Sequence, residues 1–180
     1  SGVATRPIAD LDAYRDKLQS FVYASGTTMK PIFDAAKRAT KKRVAFAEGE
    51  EERVLRAVQI VVDEGLARPT LIGRPAIIAQ RIEKFGLRLR EELDYDIVNV
   101  EQDHRYRDFW QTYHRMTERK GITEPIAKIE MRRRLTLIGS MMLHKGEVDG
   151  LIVGTWGHTS HHLNYIDQVI GRRAGVATYA

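Results

Sequence analysis

The sequence predicts an α/β fold with a mainly parallel sheet. Short apolar runs alternate with longer amphipathic segments, which is the order of strand–helix–strand units joined by right-handed parallel crossovers. Glycines end the amphipathic segments at positions 65, 86, 121 and 146. One apolar run, residues 149–154, is β-branched at Ile152 and Val153 and contains glycine near both ends, as expected of a buried strand in such a sheet.

Two helices are predicted ahead of the first strand. Asp10 can cap the first helix, and residues 29–38 form the second, with Pro31 in its first turn. Residues 25–28 separate the two helices, and the mixed polarity of residues 1–9 is typical of a connector. The apolar positions of the first helix, at helical spacing, are Leu11, Tyr14, Leu18, Phe21 and Val22.

Strands and helices then alternate. The strands are predicted at residues 44–47, 69–73, 95–100 and 149–154. The helices are predicted from residues 48–53 to Gly65, over 75–85 and 104–120, from Thr123 onward, through the segment of Leu137 and Met141, and from Thr159 or Ser160, either of which can cap. The aromatic stripe of residues 104–120 is more typical of a core than of a cofactor site. Residues 175–180 have the pattern of a further strand that no turn follows, so we expect the chain to be cut from a larger protein.

The composition is that of an ordinary globular protein, with 43% apolar and 29% charged residues in a chain of 180. The lack of cysteine excludes disulfides and thiolate metal sites, and no apolar run approaches the roughly 20 residues of a membrane span. We therefore expect a cytoplasmic protein with no membrane partner. The net charge of +5 comes from mixed charges. The basic runs at 41–43 and 132–134 lack interleaved aromatics, which favours solvated helix faces over nucleic-acid binding.

A candidate anion site lies beyond the carboxyl end of the strand at 149–154. Ligands of open α/β sheets bind at that edge, and a helix N-terminus there favours an anion. If the following helix begins near Ser160, its polar face faces the crevice and its apolar residues Leu163, Ile166 and Ile170 pack inward. That polar face consists of His161, Asn164, Tyr165 and Gln168.

Arg53 has two interpretations. It lies in the first turn of its helix, where the helix dipole disfavours a cation, so the neighbouring residues Glu50, Glu51 and Glu52 could simply offset its charge. Alternatively, its guanidinium reaches a phosphate across the strand ends. His158 and His162 are four residues apart and could share a metal, but no further ligand is evident nearby. The sequence contains no Gly-x-Ser-x-Gly elbow, dinucleotide fingerprint, P-loop or EF-hand.

Four segments resemble successive blocks of the phosphate acetyltransferase (phosphotransacetylase) family. They are residues 48–54, 71–73, 120–123 and 146–154, and the likeness runs from about Arg43 to the end of the chain. The family domain is longer, so the resemblance covers its first half. It implies a three-layer α/β sandwich of the phosphate acetyltransferase and isocitrate-dehydrogenase-like type, with a mainly parallel sheet preceded by two helices.

The segments 1–8, 21–26, 29–33 and 157–166 are similar to bacterial NADP-dependent malic enzymes that carry a phosphotransacetylase-like domain after the malic-enzyme domain. This resemblance implies that residues 1–40 lead in from an upstream malic-enzyme domain and that residues 41–180 begin the phosphotransacetylase-like domain. It also implies a longer protein that decarboxylates malate to pyruvate with NADP and Mg²⁺ or Mn²⁺, in a homo-oligomer. This chain would then hold no cofactor, metal or catalytic residue of its own.

The resemblance also assigns ligand residues. Arg53 falls where the transferases have an arginine associated with coenzyme A. A second substrate arginine falls at about Thr117, two residues from Arg119, and a third, in an Arg-Pro pair, is replaced by Asn164-Tyr165. We therefore expect acetyl-CoA to act as an effector bound without transfer. The expected contacts are Arg53, Arg119, Thr159, Ser160, His161 and Asn164. Two alternatives stay open: an active phosphate acetyltransferase in which Arg119 replaces the displaced arginine, and a purely structural oligomerisation module.

Overall fold

The computed structural model describes residues 8, 10–22 and 26–179, and the chain divides into two compact units, Ser1–Thr40 and Lys41–Ala180. Most of the predicted connector, residues 1–7 and 9, lies outside the described residues, as do Ser25, Ala180 and the side chains of Phe21 and Val22.

The first unit contains two helices, α1 (Leu11–Val22) and α2 (Gly26–Arg38). Asp10 caps α1 as predicted, because its Oδ1 accepts hydrogen bonds from the amides of Asp12 and Ala13 at 3.0 and 2.9 Å. Helix α2 begins three residues earlier than predicted. Pro31 therefore lies inside α2 rather than in its first turn. At this interior position its missing N–H removes one backbone hydrogen bond.

The second unit contains a parallel four-stranded sheet in the order β3-β2-β1-β4. The α/β prediction with a parallel sheet is thus confirmed. Among the described helices, none is long and apolar enough to cross a bilayer. In chain order the elements are β1 (Arg43–Phe46), α3 (Glu52–Asp63), β2 (Arg68–Gly73), α4 (Pro75–Lys84), β3 (Asp96–Asn99), α5 (Tyr106–Thr117), α6 (Glu124–Arg133), α7 (Leu135–His144), β4 (Gly150–Ile152) and α8 (Thr159–Val169), with a 3-10 turn, Glu118–Lys120, after α5.

The sheet is the middle layer of three. Successive strand residues point to opposite faces, so Phe46 and Leu71 pack with α3 and α4, whereas Ala45 and Ile72 pack with α5 to α8. The aromatic stripe of α5 belongs to the second of these cores, as expected: Phe109, Trp110 and Tyr113 are buried there.

Two strand predictions are wrong in part. Residues 149–154 were expected to form a buried strand, but β4 is a three-residue edge strand in which Ile152 is 52% exposed. Only β1 pairs with it among the described strands. The expected strand at 175–180 does not form over residues 175–179, where a turn closes from the Val176 amide to the Arg173 carbonyl at 3.1 Å. An extended segment needs a ladder partner, and none of the described strands pairs with it.

Gly49 provides a test of the packing at the strand ends. Its amide donates to the Ile72 carbonyl at 3.1 Å, and a Cβ on Gly49 would lie 2.9 Å from that oxygen. Because backbone cannot move aside cheaply, Gly49→Ala should lower the free energy of unfolding by about 1–3 kcal/mol in urea titrations. Gly150→Ala is the matched control, since its Cβ would meet only Val44 Cγ2 at 3.8 Å. Equal losses in the two variants would contradict the close approach.

Candidate functional site

The candidate site lies at the carboxyl edge of the sheet, where two loops meet. We call residues 47–51 the β1 loop and residues 153–158 the β4 loop. Because β1 and β4 are parallel neighbours, both loops leave the sheet at the same edge. The strands remain paired up to this point, with the Ala47 amide donating to the Ile152 carbonyl at 3.0 Å.

Glu48 joins the two loops. Its side chain is buried, with the residue 8% exposed, and its Oε1 accepts a hydrogen bond from the Gly154 amide at 3.0 Å. A carboxylate away from water requires such a donor. Gly154 has φ of 110°, a left-handed conformation that glycine adopts without strain. Glu48 therefore fixes the start of the β4 loop, a role that the sequence analysis missed.

Arg53 contacts the same loop from the first turn of α3. Its Nη2 donates to the Thr155 carbonyl at 3.2 Å, and its Nε lies 3.8 Å from Glu51 Oε2. The side chain is nevertheless 73% exposed. A guanidinium has five N–H donors, so these contacts leave donors available at the sheet edge. Of the three neighbouring glutamates, Glu51 faces Arg53, whereas Glu50 pairs with Arg74 and Glu52 pairs with Arg56.

His162 supports the β4 loop from α8. Its Nε2 lies 2.8 Å from the Trp156 carbonyl oxygen and its Nδ1 lies 2.6 Å from Thr136 Oγ1. A carbonyl only accepts, so Nε2 carries the proton, and in the neutral ring the Thr136 hydroxyl donates to Nδ1. Both ring nitrogens therefore have hydrogen-bond partners, and His162 would have to give one of them up to bind a metal together with His158. No group of three or more metal-binding side chains occurs within the part of the chain that the structure describes.

The predicted ligand contacts on α8 lie at the carboxyl edge of the sheet, but Thr159 and Ser160 do not cap the helix. His158 occupies the N-cap position without a side-chain hydrogen bond, so Thr159 and Ser160 lie within the first turn. Thr159, Ser160, His161 and Asn164 are exposed there.

The predicted polar face of α8 is wrong at Tyr165, which is only 8% exposed and packs into the core. Gln168 is half-buried: its Oε1 accepts from the Tyr113 hydroxyl at 2.6 Å, and its Nε2 donates to Asn164 Oδ1 of the same face at 3.4 Å. Desolvation raises the pKa of Tyr165 to about 12. Ile170, expected to pack inward, is 46% exposed. The apolar ring of Tyr165 belongs to the same core cluster as Phe109 and Tyr113 of α5.

Arg119 lies apart from this network. It is exposed in the 3-10 turn after α5, and within the described ranges no hydrogen bond or ion pair joins it to the β1 loop or the β4 loop. Thr117, the position that corresponds to a family arginine, is fully buried and donates its hydroxyl to the Tyr113 carbonyl at 2.7 Å. The structure thus brings Arg53 and the start of α8 to one loop, and it shows no such link for Arg119.

Glu50 ties the β1 loop to the end of β2. It accepts hydrogen bonds from the Arg74 amide, Nε and Nη2 at 2.9, 2.9 and 2.7 Å, and the Arg81 guanidinium donates to its carbonyl oxygen. The Arg74 hydrogen bond lowers the pKa of the Glu50 carboxyl from its ordinary value, against the opposing effect of burial.

The geometry defines a class of protein: a parallel α/β domain with cationic and hydrogen-bonding groups at one edge of its sheet. The family model for phosphate acetyl/butaryl transferase matches residues 27–180, and the chain belongs to that family.

The comparisons with individual proteins fall into two groups. The chain is 51% identical over 180 residues to an NAD-dependent malic enzyme of Rhizobium meliloti and 48% identical over 178 residues to an NADP-dependent malic enzyme of Salmonella typhimurium. These matches cover 100% and 99% of the chain but only 23% of each relative. A phosphate acetyltransferase of Nitratidesulfovibrio vulgaris is 32% identical over 149 residues, covering 81% of the chain and 20% of that relative.

Solved structures agree on the fold. A phosphotransacetylase from Streptococcus pyogenes matches with a TM-score of 0.73 and 22% identity, over 84% of this chain and 45% of that one. A phosphotransacetylase from Staphylococcus aureus matches with a TM-score of 0.72 and 21% identity, over 83% and 45%. The chain therefore shares the fold of the part that it matches, which is a little under half of each of these proteins.

The Glu50–Arg74 pair predicts a pH dependence of stability. A carboxyl whose folded pKa is depressed stabilises the fold above its ordinary pKa of about 4.3, and this contribution is lost as the pH falls through the folded value. Arg74→Met should therefore be destabilising at pH 7, with a difference from wild type that shrinks toward pH 3. Urea titrations across this range measure it. In a Glu50→Gln background Arg74→Met should have little further effect; an undiminished effect there would locate the cause elsewhere.

Proposed function

We propose that this chain is a regulatory domain of an NAD- or NADP-dependent malic enzyme that binds acetyl-CoA, helps to assemble a homo-oligomer and carries out no acetyl transfer. The longer protein would oxidatively decarboxylate malate to pyruvate with a nicotinamide cofactor and Mg²⁺ or Mn²⁺. We place that chemistry in the part upstream of this chain. NADP was the nicotinamide cofactor expected from the sequence. Because the relatives are named as NAD-dependent and as NADP-dependent enzymes, the proposal includes both cofactors.

The observation that supports binding without transfer is the contrast between one retained arginine and two replaced ones. Arg53 is exposed at the edge where ligands of α/β sheets bind. The second family arginine falls at about Thr117, which is fully buried, and the third falls at Asn164, which is exposed but carries no charge. Acyl transfer between a thioester and phosphate needs fixed cations at the developing charge, and the loss of one such group typically costs about 10²- to 10³-fold in rate.

Regulation requires that acetyl-CoA prefer one state of the assembly, with a coupling free energy of typically 1–3 kcal/mol, about 5- to 150-fold in affinity. The site is suited to this because its groups come from several elements. Arg53 belongs to α3, Glu48 to the β1 loop and His162 to α8, and all three contact the β4 loop. A ligand bound at the β4 loop would therefore link α3, the β1 loop and α8.

An active transferase is the first alternative, with Arg119 in place of the displaced arginine. Acetyl phosphate formation from acetyl-CoA and phosphate should be undetectable with the full-length protein, and Arg119→Ala should change nothing. Turnover near that of a working phosphate acetyltransferase, abolished by Arg119→Ala, would establish the alternative.

The second alternative, a structural module, is tested by calorimetric titration of the full-length protein with acetyl-CoA. Arg53→Ala should weaken binding by roughly 10- to 100-fold, because a hydrogen bond to a charged group contributes about 1.5–3 kcal/mol. Arg56→Ala is the matched control: Arg56 lies one turn along α3, is similarly exposed and pairs with Glu52 at 2.8 Å. It should bind as wild type does. If the wild type gives no heat, the structural role is favoured instead.

A further inference from the structure

The chain has two tryptophans with opposite environments. Trp110 on α5 is 8% exposed and belongs to the core. Trp156, in the middle of the β4 loop, is 76% exposed. An indole ring carries a large apolar surface, and leaving it in water gains nothing for the fold. The exposed ring lies beside Thr155, the residue that Arg53 contacts.

The backbone that carries this ring is anchored at three consecutive residues. The Gly154 amide donates to Glu48 at 3.0 Å, the Thr155 carbonyl accepts from Arg53 at 3.2 Å, and the Trp156 carbonyl accepts from His162 at 2.8 Å. His162 is itself held by Thr136 of α7. Three hydrogen bonds therefore hold the loop in this structure, which lowers the conformational entropy that presenting the ring costs on binding.

Trp156 and Arg53, which contacts the residue before Trp156, suit the two ends of an adenine nucleotide. An exposed indole stacks on a flat base, and the exposed N–H groups of Arg53 form forked hydrogen bonds with phosphate oxygens. We propose that Trp156 is the platform for the adenine ring of the bound carrier, with Arg53 holding the adjoining phosphates. This inference rests on the proposed function, since it takes acetyl-CoA as the ligand, and it assigns the nucleotide end of that ligand to the β4 loop.

Ligands that contain or lack the nucleotide separate this assignment from general binding. In titrations of the full-length protein with acetyl-CoA, Trp156→Ala should weaken binding by roughly 10- to 100-fold, as removal of a base-stacking aromatic does. Trp156→Phe keeps a stacking surface and should stay within a few-fold of wild type. S-acetylpantetheine lacks the nucleotide, so its affinity should be the same for wild type and Trp156→Ala. Acetyl-CoA should also quench wild-type tryptophan fluorescence more than that of Trp156→Phe.

Each other outcome has a distinct meaning. If Trp156→Ala binds acetyl-CoA as tightly as wild type while Arg53→Ala does not, the stacking assignment is wrong and the proposed function stands. If Trp156→Ala changes the oligomer in sedimentation and leaves binding unchanged, the ring packs against a second copy, which also overturns the assignment. If wild type does not bind acetyl-CoA at all, the proposed function fails together with it.

Discussion

A buried carboxyl group joins the two loops of the candidate site. Glu48 follows the end of β1 and is only 8% exposed, and a polar group away from water requires a hydrogen-bond partner. That partner is the amide of Gly154, which has a positive φ. In the same loop the Thr155 carbonyl accepts from the Arg53 guanidinium, and the Trp156 side chain is exposed to solvent. The contact between Glu48 and Gly154 therefore holds the β4 loop beside the residues at which the cation and the aromatic ring lie.

The fold could be predicted to the extent that its signals are local. Alternation of apolar runs with amphipathic segments located the strands and the major helices, and the aromatic stripe of α5 was correctly assigned to the core. The exposure of β4 and the turn at residues 173–176 were not predicted. They depend on which strands lie beside these segments, and an apolar run of given length has the same pattern at the edge of a sheet as at its centre.

The site was predictable only in outline. The start of α8 was expected at this edge from the rule that ligands bind at strand carboxyl ends, whereas Arg53 and the ligand itself were assigned through the resemblance to phosphotransacetylases. Both assignments stay predictions. The contacts of Glu48 and His162 could not be found that way, because their partners are distant in sequence: Gly154 is 106 residues from Glu48, and Thr136 is 26 residues from His162. One local signal did point to Glu48: it is a glutamate that directly follows a predicted buried strand and precedes a glycine.

The proposed binding and the proposed loss of transfer depend on different residues. Arg53 and Trp156 are exposed at the loop edge, so changes to either leave the cores intact. Of the two positions that the resemblance assigns to further arginines, Thr117 is buried in the helical layer, where a guanidinium would have to be desolvated. Asn164 is exposed on α8, so a cation at that position would need no change in the core. Under the proposed function, the buried Thr117 is therefore the stronger barrier to acetyl transfer, because a cation there would require rebuilding that layer.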